Sequence, residues 1–224
     1  MGKVRLILGL AGTGKTTRLR ESMRACCEKG KEILVFVPDQ FSFDTEKALY
    51  IELGAKNISR VKVTSFSRIS REILIEAGVK KPYADEVVKR VTMLTALDQL
   101  KDSLSFYRSL KDANGFAGKL MKTAASFKNA GLTPSDLTKK LNDCDEMDGV
   151  LFEKTSDLSL IYSAYDELLT KNLDDKLDDV RRAAEIATQT GRFNNCVCFF
   201  DNFDSFSNAQ RRLLEVIVSQ SENA

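Results

Sequence analysis

Histidine is absent from the 224 residues of this chain. That removes chemistry that needs an imidazole, namely His-ligated zinc and Ser-His-Asp or Cys-His nucleophilic catalysis. Cysteine is scarce and poorly arranged for a scaffold. There are 5, an odd number, with Cys26 and Cys27 adjacent, Cys196 and Cys198 inside an apolar run, and no CxxC pair. This is neither a disulfide framework nor a thiolate metal site, and it points to a reducing, cytoplasmic setting. No apolar run approaches the roughly 18 residues of a membrane span, so no membrane partner is expected. The opening run Val4–Leu8 is too short for a signal peptide, and Leu6 stands where N-myristoylation wants Ser or Thr. Net charge is also slight, 34 basic against 32 acidic residues, giving +2. Contact with a polyanion must therefore come from local placement of groups.

The length and a 43% hydrophobic content suffice for a sizeable core, in one domain or in one domain with an insertion. Val4–Leu8, Ile33–Val37 and Val61–Val63 are apolar, β-branched runs, each followed by a helical pattern. Strand then helix, repeated, predicts a parallel α/β sheet with crossover helices. A fourth run comes only at Cys196–Phe200. From 84 to 190 the pattern is helical throughout, as in Val87–Leu100, Phe116–Ala130, Leu158–Leu169 and Leu177–Ala187. Thr133 followed by Pro134 marks a helix start within it. The expected organisation is a sheet domain over 1–83 and 191–224 interrupted by a helical insertion over 84–190. Four strands are few for a nucleotide-binding domain, so an N-terminal fragment of a longer protein is expected.

Gly9-Leu10-Ala11-Gly12-Thr13-Gly14-Lys15-Thr16 fits G-x-x-x-x-G-K-[ST] at every fixed position, between a strand-like run and a helical one. Glycines let successive backbone N–H groups turn toward phosphate oxygens, and the helix N-terminus adds partial positive charge. The candidate nucleotide-binding residues are Gly9, Gly12, Thr13, Gly14, Lys15, Thr16 and Thr17. Lys15 is placed to reach the outer phosphates of ATP, and Thr16 to give its hydroxyl to Mg²⁺. The apolar run Cys196–Phe200 ends in Asp201, the candidate second Mg²⁺ group. Asn202 follows, where a hydrolytic site wants Glu. An amide can hold a water but cannot take its proton, so the expected activity is nucleotide binding with hydrolysis in question and no catalytic residue named.

Asp201, Phe203 and Gln210 resemble the acidic motif of UvrD-like superfamily 1 helicases, and Thr64-Ser65-Phe66-Ser67-Arg68 resembles their segment against single-stranded DNA. Asn202, Asp204 and Ser205 depart from that motif. Val37-Pro38-Asp39-Gln40-Phe41-Ser42-Phe43-Asp44-Thr45-Glu46, Thr64–Ile69, Gly115-Phe116 and Asp201-Asn202-Phe203 are similar to the AddB (RexB-like) subunit of the bacterial ATP-dependent helicase/nuclease AddAB. The resemblance runs from about Val4 to Leu214. It implies a P-loop, RecA-like parallel sheet with a large all-helical insertion, the 1A/1B helicase arrangement. It implies one half of a heterodimer that processes double-strand DNA ends for recombinational repair, the other half being a motor/nuclease protein of the AddA type. It also implies a nuclease domain and an iron–sulphur cluster in a downstream part that this sequence does not contain.

Candidate DNA contacts are Gln40, Phe41 and Ser42 after the second run, and Thr64, Ser65, Phe66, Ser67 and Arg68 after the third. All lie at strand carboxyl ends, where open α/β sheets bind ligands. Phe41 or Phe66 would stack on a base, and Ser67 and Arg68 would hold a phosphate. Equally, the aromatic rings would pack under the loops and the hydroxyls would cap helices. Lys119, Lys122 and Lys128 form a basic stripe that either tracks DNA or is a solvated helix face. The acidic run Asp174, Asp175, Asp178 and Asp179 reads as a solvated surface. Two other functions stay open, a scaffold with a vestigial nucleotide site and a stand-alone P-loop kinase or ATPase.

Overall fold

The computed structural model describes residues 3–109, 115–143 and 148–222. Contacts gather the chain into two compact units, Met1–Val79 with Asp179–Ala224, and Lys80–Asp178.

The first unit is built on a parallel sheet of β1 (Glu32–Phe36), β2 (Val61–Thr64) and β3 (Cys196–Phe200) in the order β2-β1-β3. Ile33 pairs with Val61 and Phe36 with Thr64 on one side, and Glu32 with Cys196 and Phe36 with Phe200 on the other. β1 is central, and its residues Ile33 to Phe36 are all buried, as expected of a parallel strand covered on both faces. Side-chain alternation sorts them. Leu34 and Phe36 pack with Cys198 against α3 (Phe66–Glu76), α8 (Asp179–Thr190) and α9 (Asn208–Gln220). Ile33, Val35 and Val37 pack with Val63 against α1 (Lys15–Glu28) and α2 (Ser42–Ile58). Helices on both faces of a small parallel sheet make this an α/β protein. Ser65 caps α3 through Arg68 N–H, and a Ser207–Gln210 capping box starts α9. α2 is interrupted at Gly54, whose φ of 73° and ψ of 167° only glycine adopts readily.

Two expectations for this unit need correction. Val4–Leu8 is not a strand of the sheet, and Val4, Leu6, Leu8 and Leu10 are exposed, Leu8 by 86%. An apolar β-branched run has strand propensity, but a strand exists only where a neighbour takes its hydrogen bonds. The second concerns the boundary, which falls after Asp178 rather than after 190. Ala183, Ala184 and Ala187 place α8 on the sheet core with α3 and α9, because small side chains let its backbone approach closely.

The second unit is helical: α4 (Glu86–Gln99), α5 (Phe116–Asn129), α6 (Pro134–Asn142) and α7 (Gly149–Thr170). α7 carries Ile161, Tyr162, Tyr165 and Leu169 into one core with Met93 and Leu97 of α4, Leu120 and Ala124 of α5, and Leu137 of α6. Thr133 and Asp136 form a complete capping box before α6, with Pro134 in its first turn. The unit closes where its ends meet, since Ala84 N–H donates to the Asp174 carbonyl and Asp174 N–H to that of Pro82, both at 2.9 Å.

The acidic run is not solvated as expected, and one member of the basic stripe is buried with it. Lys128 is only 3% exposed and forms ion pairs with Asp166 at 2.8 Å, with Asp175 at 3.5 Å and with Asp178. Asp174, Asp175, Asp178 and Asp179 are all buried. Lys89 adds a second cation on Asp175 at 2.9 Å. Lys119 and Lys122 remain exposed, so the stripe shrinks to two residues. Burial opposes the charged form of Lys128, but Asp178 and Asp166 outweigh it and hold its pKa well above the ordinary lysine value. Burial likewise pushes Asp175 up, but the Lys89 hydrogen bond and the Lys128 charge hold its carboxyl below the usual range.

Lys128→Met leaves three carboxylates without their shared cation and is expected to destabilise the chain by about 3–5 kcal/mol at neutral pH. Asp175, with its depressed folded pKa, contributes stability above the unfolded value near 4 and loses it as pH falls through the folded one. The gap between variant and parent, read by chemical denaturation across pH, should therefore narrow below about pH 4. A gap independent of pH would show that the cluster is not held by charge.

Candidate nucleotide and nucleic-acid site

Gly12 and Gly14 both sit at positive φ, 78° and 79°, and Gly14 immediately precedes α1. The glycine-rich turn thus delivers the chain directly into a helix N-terminus that has no acidic residue in its first turn. Gly9 matters for a different reason, because a Cβ there would lie 2.5 Å from the Thr13 hydroxyl, which would have to move. That hydroxyl donates to the Leu10 carbonyl at 2.8 Å and pins the loop. Lys15 curls back, its Nζ donating to the carbonyls of Gly9 and Leu10, each at 2.8 Å. Thr17 is exposed.

Asp201 N–H donates to the Phe36 carbonyl at 3.0 Å, which extends the β1–β3 ladder by one residue and sets the carboxylate at the strand's end. There the Thr16 hydroxyl donates to Asp201 Oδ1 at 3.5 Å, across 185 residues of chain. Thr16 and Asp201, the expected metal pair, are therefore brought together, and Lys15 is the neighbour of one of them. A hydroxyl and a carboxylate in contact are hard oxygen donors suited to Mg²⁺, the ion that accompanies nucleoside triphosphates. Among the described residues no cluster of three or more His, Cys, Asp or Glu forms a separate metal site. The described cysteines are free, and burial raises the pKa of each, Cys198 to about 12, which keeps its thiol protonated.

Asn202 has φ of 62°, in the left-handed region. Asn tolerates that region better than Glu, so its presence has a backbone reason besides any chemical one. A motif cannot convey this, because it compares side chains and not dihedrals.

The DNA candidates divide by exposure. Gln40, Phe41, Ser67 and Arg68 are exposed. Ser42, Thr64, Ser65 and Phe66 are buried. Phe66, 2% exposed, is the hub of an aromatic cluster, with ring centroids 5.5 Å from Phe36, 6.2 Å from Phe200, 5.6 Å from Phe203 and 5.8 Å from Phe206. Its ring faces are enclosed and offer no base a surface in this structure. Phe43, on the first turn of α2, is 74% exposed. Asp39 is a residue that sequence reasoning misses. Its carboxylate accepts hydrogen bonds from the Ser65 hydroxyl and, at 3.0 Å, from the Ser67 hydroxyl. A pairing across 26 residues between two loops leaves no periodic signal in the sequence.

Fold and site together define an α/β protein whose phosphate-loop sequence and strand-end acid converge at one end of a parallel sheet. The chain belongs to the family described as "ADDB, N-terminal", which it matches over residues 6–224. It is 30% identical over 220 residues to the B subunit of the ATP-dependent helicase/deoxyribonuclease of Clostridium acetobutylicum, covering 97% of this chain and 19% of that protein. The proteins of the same description from Clostridium tetani and Acetivibrio thermocellus are 27% and 28% identical, each over 98% of this chain and 19% of the relative. The chain thus spans about a fifth of the length of these relatives. No described helix is long and apolar enough to cross a membrane.

Asn202→Glu is expected to lower stability by about 1–2 kcal/mol through left-handed strain, read by thermal denaturation. A stability equal to the parent's would remove the backbone explanation for this departure.

Proposed function

We propose that this chain is the nucleotide-binding, helicase-like N-terminal part of an AddB-type helicase/nuclease protein that processes double-strand DNA ends for recombinational repair. The contact between Thr16 and Asp201 is the observation that carries the reading. A phosphate-loop hydroxyl beside a strand-end carboxylate is the arrangement that an ATP–Mg²⁺ site needs, and their contact supports the reading. In this reading the loop N–H groups and Lys15 hold the phosphates, and Thr16 and Asp201 hold the metal, directly or through water. Mg²⁺ supplies charge neutralisation there. Lys15 exchanges its two carbonyl acceptors for phosphate oxygens, a rotation of one flexible side chain.

Hydrolysis is assigned to no residue of this chain, because Asn202 cannot accept a proton from water. The sheet is read as RecA-like. In the parent, a further strand beside β3 would take Val4–Leu8 into the sheet and bury the leucines that are exposed here. The helical unit takes the place of the 1B insertion. Gln40, Phe41, Ser67 and Arg68 contact a single DNA strand at the carboxyl end of the sheet. The partners are DNA and a motor/nuclease protein of the AddA type, and the setting is cytoplasmic. The iron–sulphur cluster belongs to the parent's downstream part. A scaffold with a vestigial site is the second reading, and Asn202 favours it.

Calorimetric titration with Mg²⁺-ATP separates the two. Binding is expected, and Lys15→Ala should raise Kd by at least about thirtyfold, the ~2 kcal/mol of a charged hydrogen bond, with an unchanged circular dichroism spectrum. Equal binding by both proteins would remove Lys15 from the site, and no heat with either would leave the scaffold reading.

A further inference from the structure

β1 and β2 are adjacent and parallel, so the segments that follow them leave the sheet side by side at its carboxyl end. Pro38, with φ of −55° and ψ of 145°, directs the first into a short 3₁₀ turn over Asp39–Phe41, closed by Phe41 N–H donating to the Pro38 carbonyl at 2.9 Å. The second segment opens α3. Two parallel strands fix where the two loops begin but not how they meet, because loops carry no ladder of their own.

The meeting is made by Asp39. Ser65 has one hydroxyl proton, and its oxygen already accepts Arg68 N–H at 3.1 Å as the cap of α3. The proton must go elsewhere, and Asp39 Oδ1 takes it. Asp39 Oδ2 takes the proton of Ser67 at 3.0 Å. One carboxylate therefore saturates both hydroxyls that flank Phe66. Ser65 is buried and Asp39 exposed, so their bond is partly shielded from competing water, and the charge is further favoured by the N-terminus of α3. A second tie runs the same way, Arg68 to Glu46 of α2 at 3.8 Å, exposed and weaker. Phe66 anchors the α3 side from beneath, in the aromatic core. With Phe66 held below and Asp39 holding from the side, the start of α3 has a fixed place relative to Gln40 and Phe41.

We propose that Asp39 is a positioning residue that joins the two strand-end loops into one surface, on which Gln40, Phe41, Ser67 and Arg68 present together to a nucleic-acid strand. The proposal rests on the reading of those loops as DNA contacts given above. Asp39 touches neither nucleotide nor phosphate in this role. Its charge is absorbed by two hydroxyl donors and a helix end, so it orients cationic and aromatic groups without repelling the strand they meet.

The test compares the full chain with Asp39→Ala and Asp39→Asn in two measurements. Hydrogen–deuterium exchange of the free proteins reads the tie itself. Asp39→Ala should lose amide protection at Arg68, whose N–H donates to the Ser65 hydroxyl, whereas Asp39→Asn, whose amide oxygen still accepts one serine bond, should keep most of it. Fluorescence anisotropy with a labelled oligodeoxythymidylate of about 20 nucleotides reads the consequence. Asp39→Ala should bind about tenfold more weakly and Asp39→Asn about two- to threefold, with a lost hydrogen bond of about 1.4 kcal/mol per tenfold. Mg²⁺-ATP binding should be the same in all three proteins, which a general loss of structure would not leave untouched.

Parent-like protection and parent-like oligonucleotide binding in Asp39→Ala would overturn the role of Asp39 while leaving the loops as a DNA surface. Tighter binding by Asp39→Ala would also overturn it and make the carboxylate a competitor of phosphate. No oligonucleotide binding by the parent, or parent-like binding by Arg68→Ala, would overturn the reading of the loops, and the positioning role with it.

Discussion

Parallel pairing of β1 with strands on both sides is the constraint on which the sheet unit depends. A parallel ladder sends every strand out at the same end, and each return must cross over through a helix. Hence the loop after β1, the loop after β2 and Asp201 after β3 gather at one end, although they are far apart in the chain. The same pairing buries β1 on both faces, which explains five consecutive apolar residues, Ile33 to Val37, rather than alternation with polar ones. Thr16 reaches Asp201 because α1 packs through Met23 and Cys27 on one face of that sheet.

Phenylalanines do two kinds of work around this end of the sheet. Phe36, Phe66, Phe200, Phe203 and Phe206 interlock beneath the loops, at centroid separations between 4.8 and 6.5 Å. Phe41 and Phe43 stay at the surface. The acidic loop and the start of α3 therefore share one core. A displacement at Phe203, two residues from Asp201, meets Phe66 directly. The polar groups of the α3 start lie above that core and are oriented from the side by Asp39.

The helical unit is held differently. Its apolar core is ordinary, but beside Tyr165 it carries a cluster of two lysines and three aspartates, of which Lys128, Asp175 and Asp178 are buried and Lys89 and Asp166 half-buried. Each charge there is tolerable only because the others are present. Such a cluster contributes less net stability than an equal volume of leucine, but it penalises every arrangement that separates its members. It draws together α4, α5, α7 and the turn at Asp178, and hydrogen bonds between Ala84, Pro82 and Asp174 close the unit next to it.

The sequence by itself determined what depends on local order. The glycine loop, a helix cap at Ser65 or Ser67, the helix start at Thr133, the helices of the second unit and the apolar runs of β1 to β3 were all legible, since each is a short-range pattern of backbone freedom, capping or periodicity. Family membership was legible for the same reason, in contiguous motifs such as Val37–Glu46 and Asp201–Phe203. Tertiary structure alone decided the rest. Val4–Leu8 has the composition of a strand yet needs a pairing partner to become one. Lys128 and the aspartates near it look solvated one by one, and only their convergence from separate helices makes burial tolerable. Phe66 looks like a stacking residue until four other rings enclose it, and Asn202 looks like a lost catalytic group until its backbone angle is known. In the first three cases the deciding energy is a contact between residues distant in the chain, and for Asn202 it is a backbone dihedral, neither of which a motif of side chains conveys.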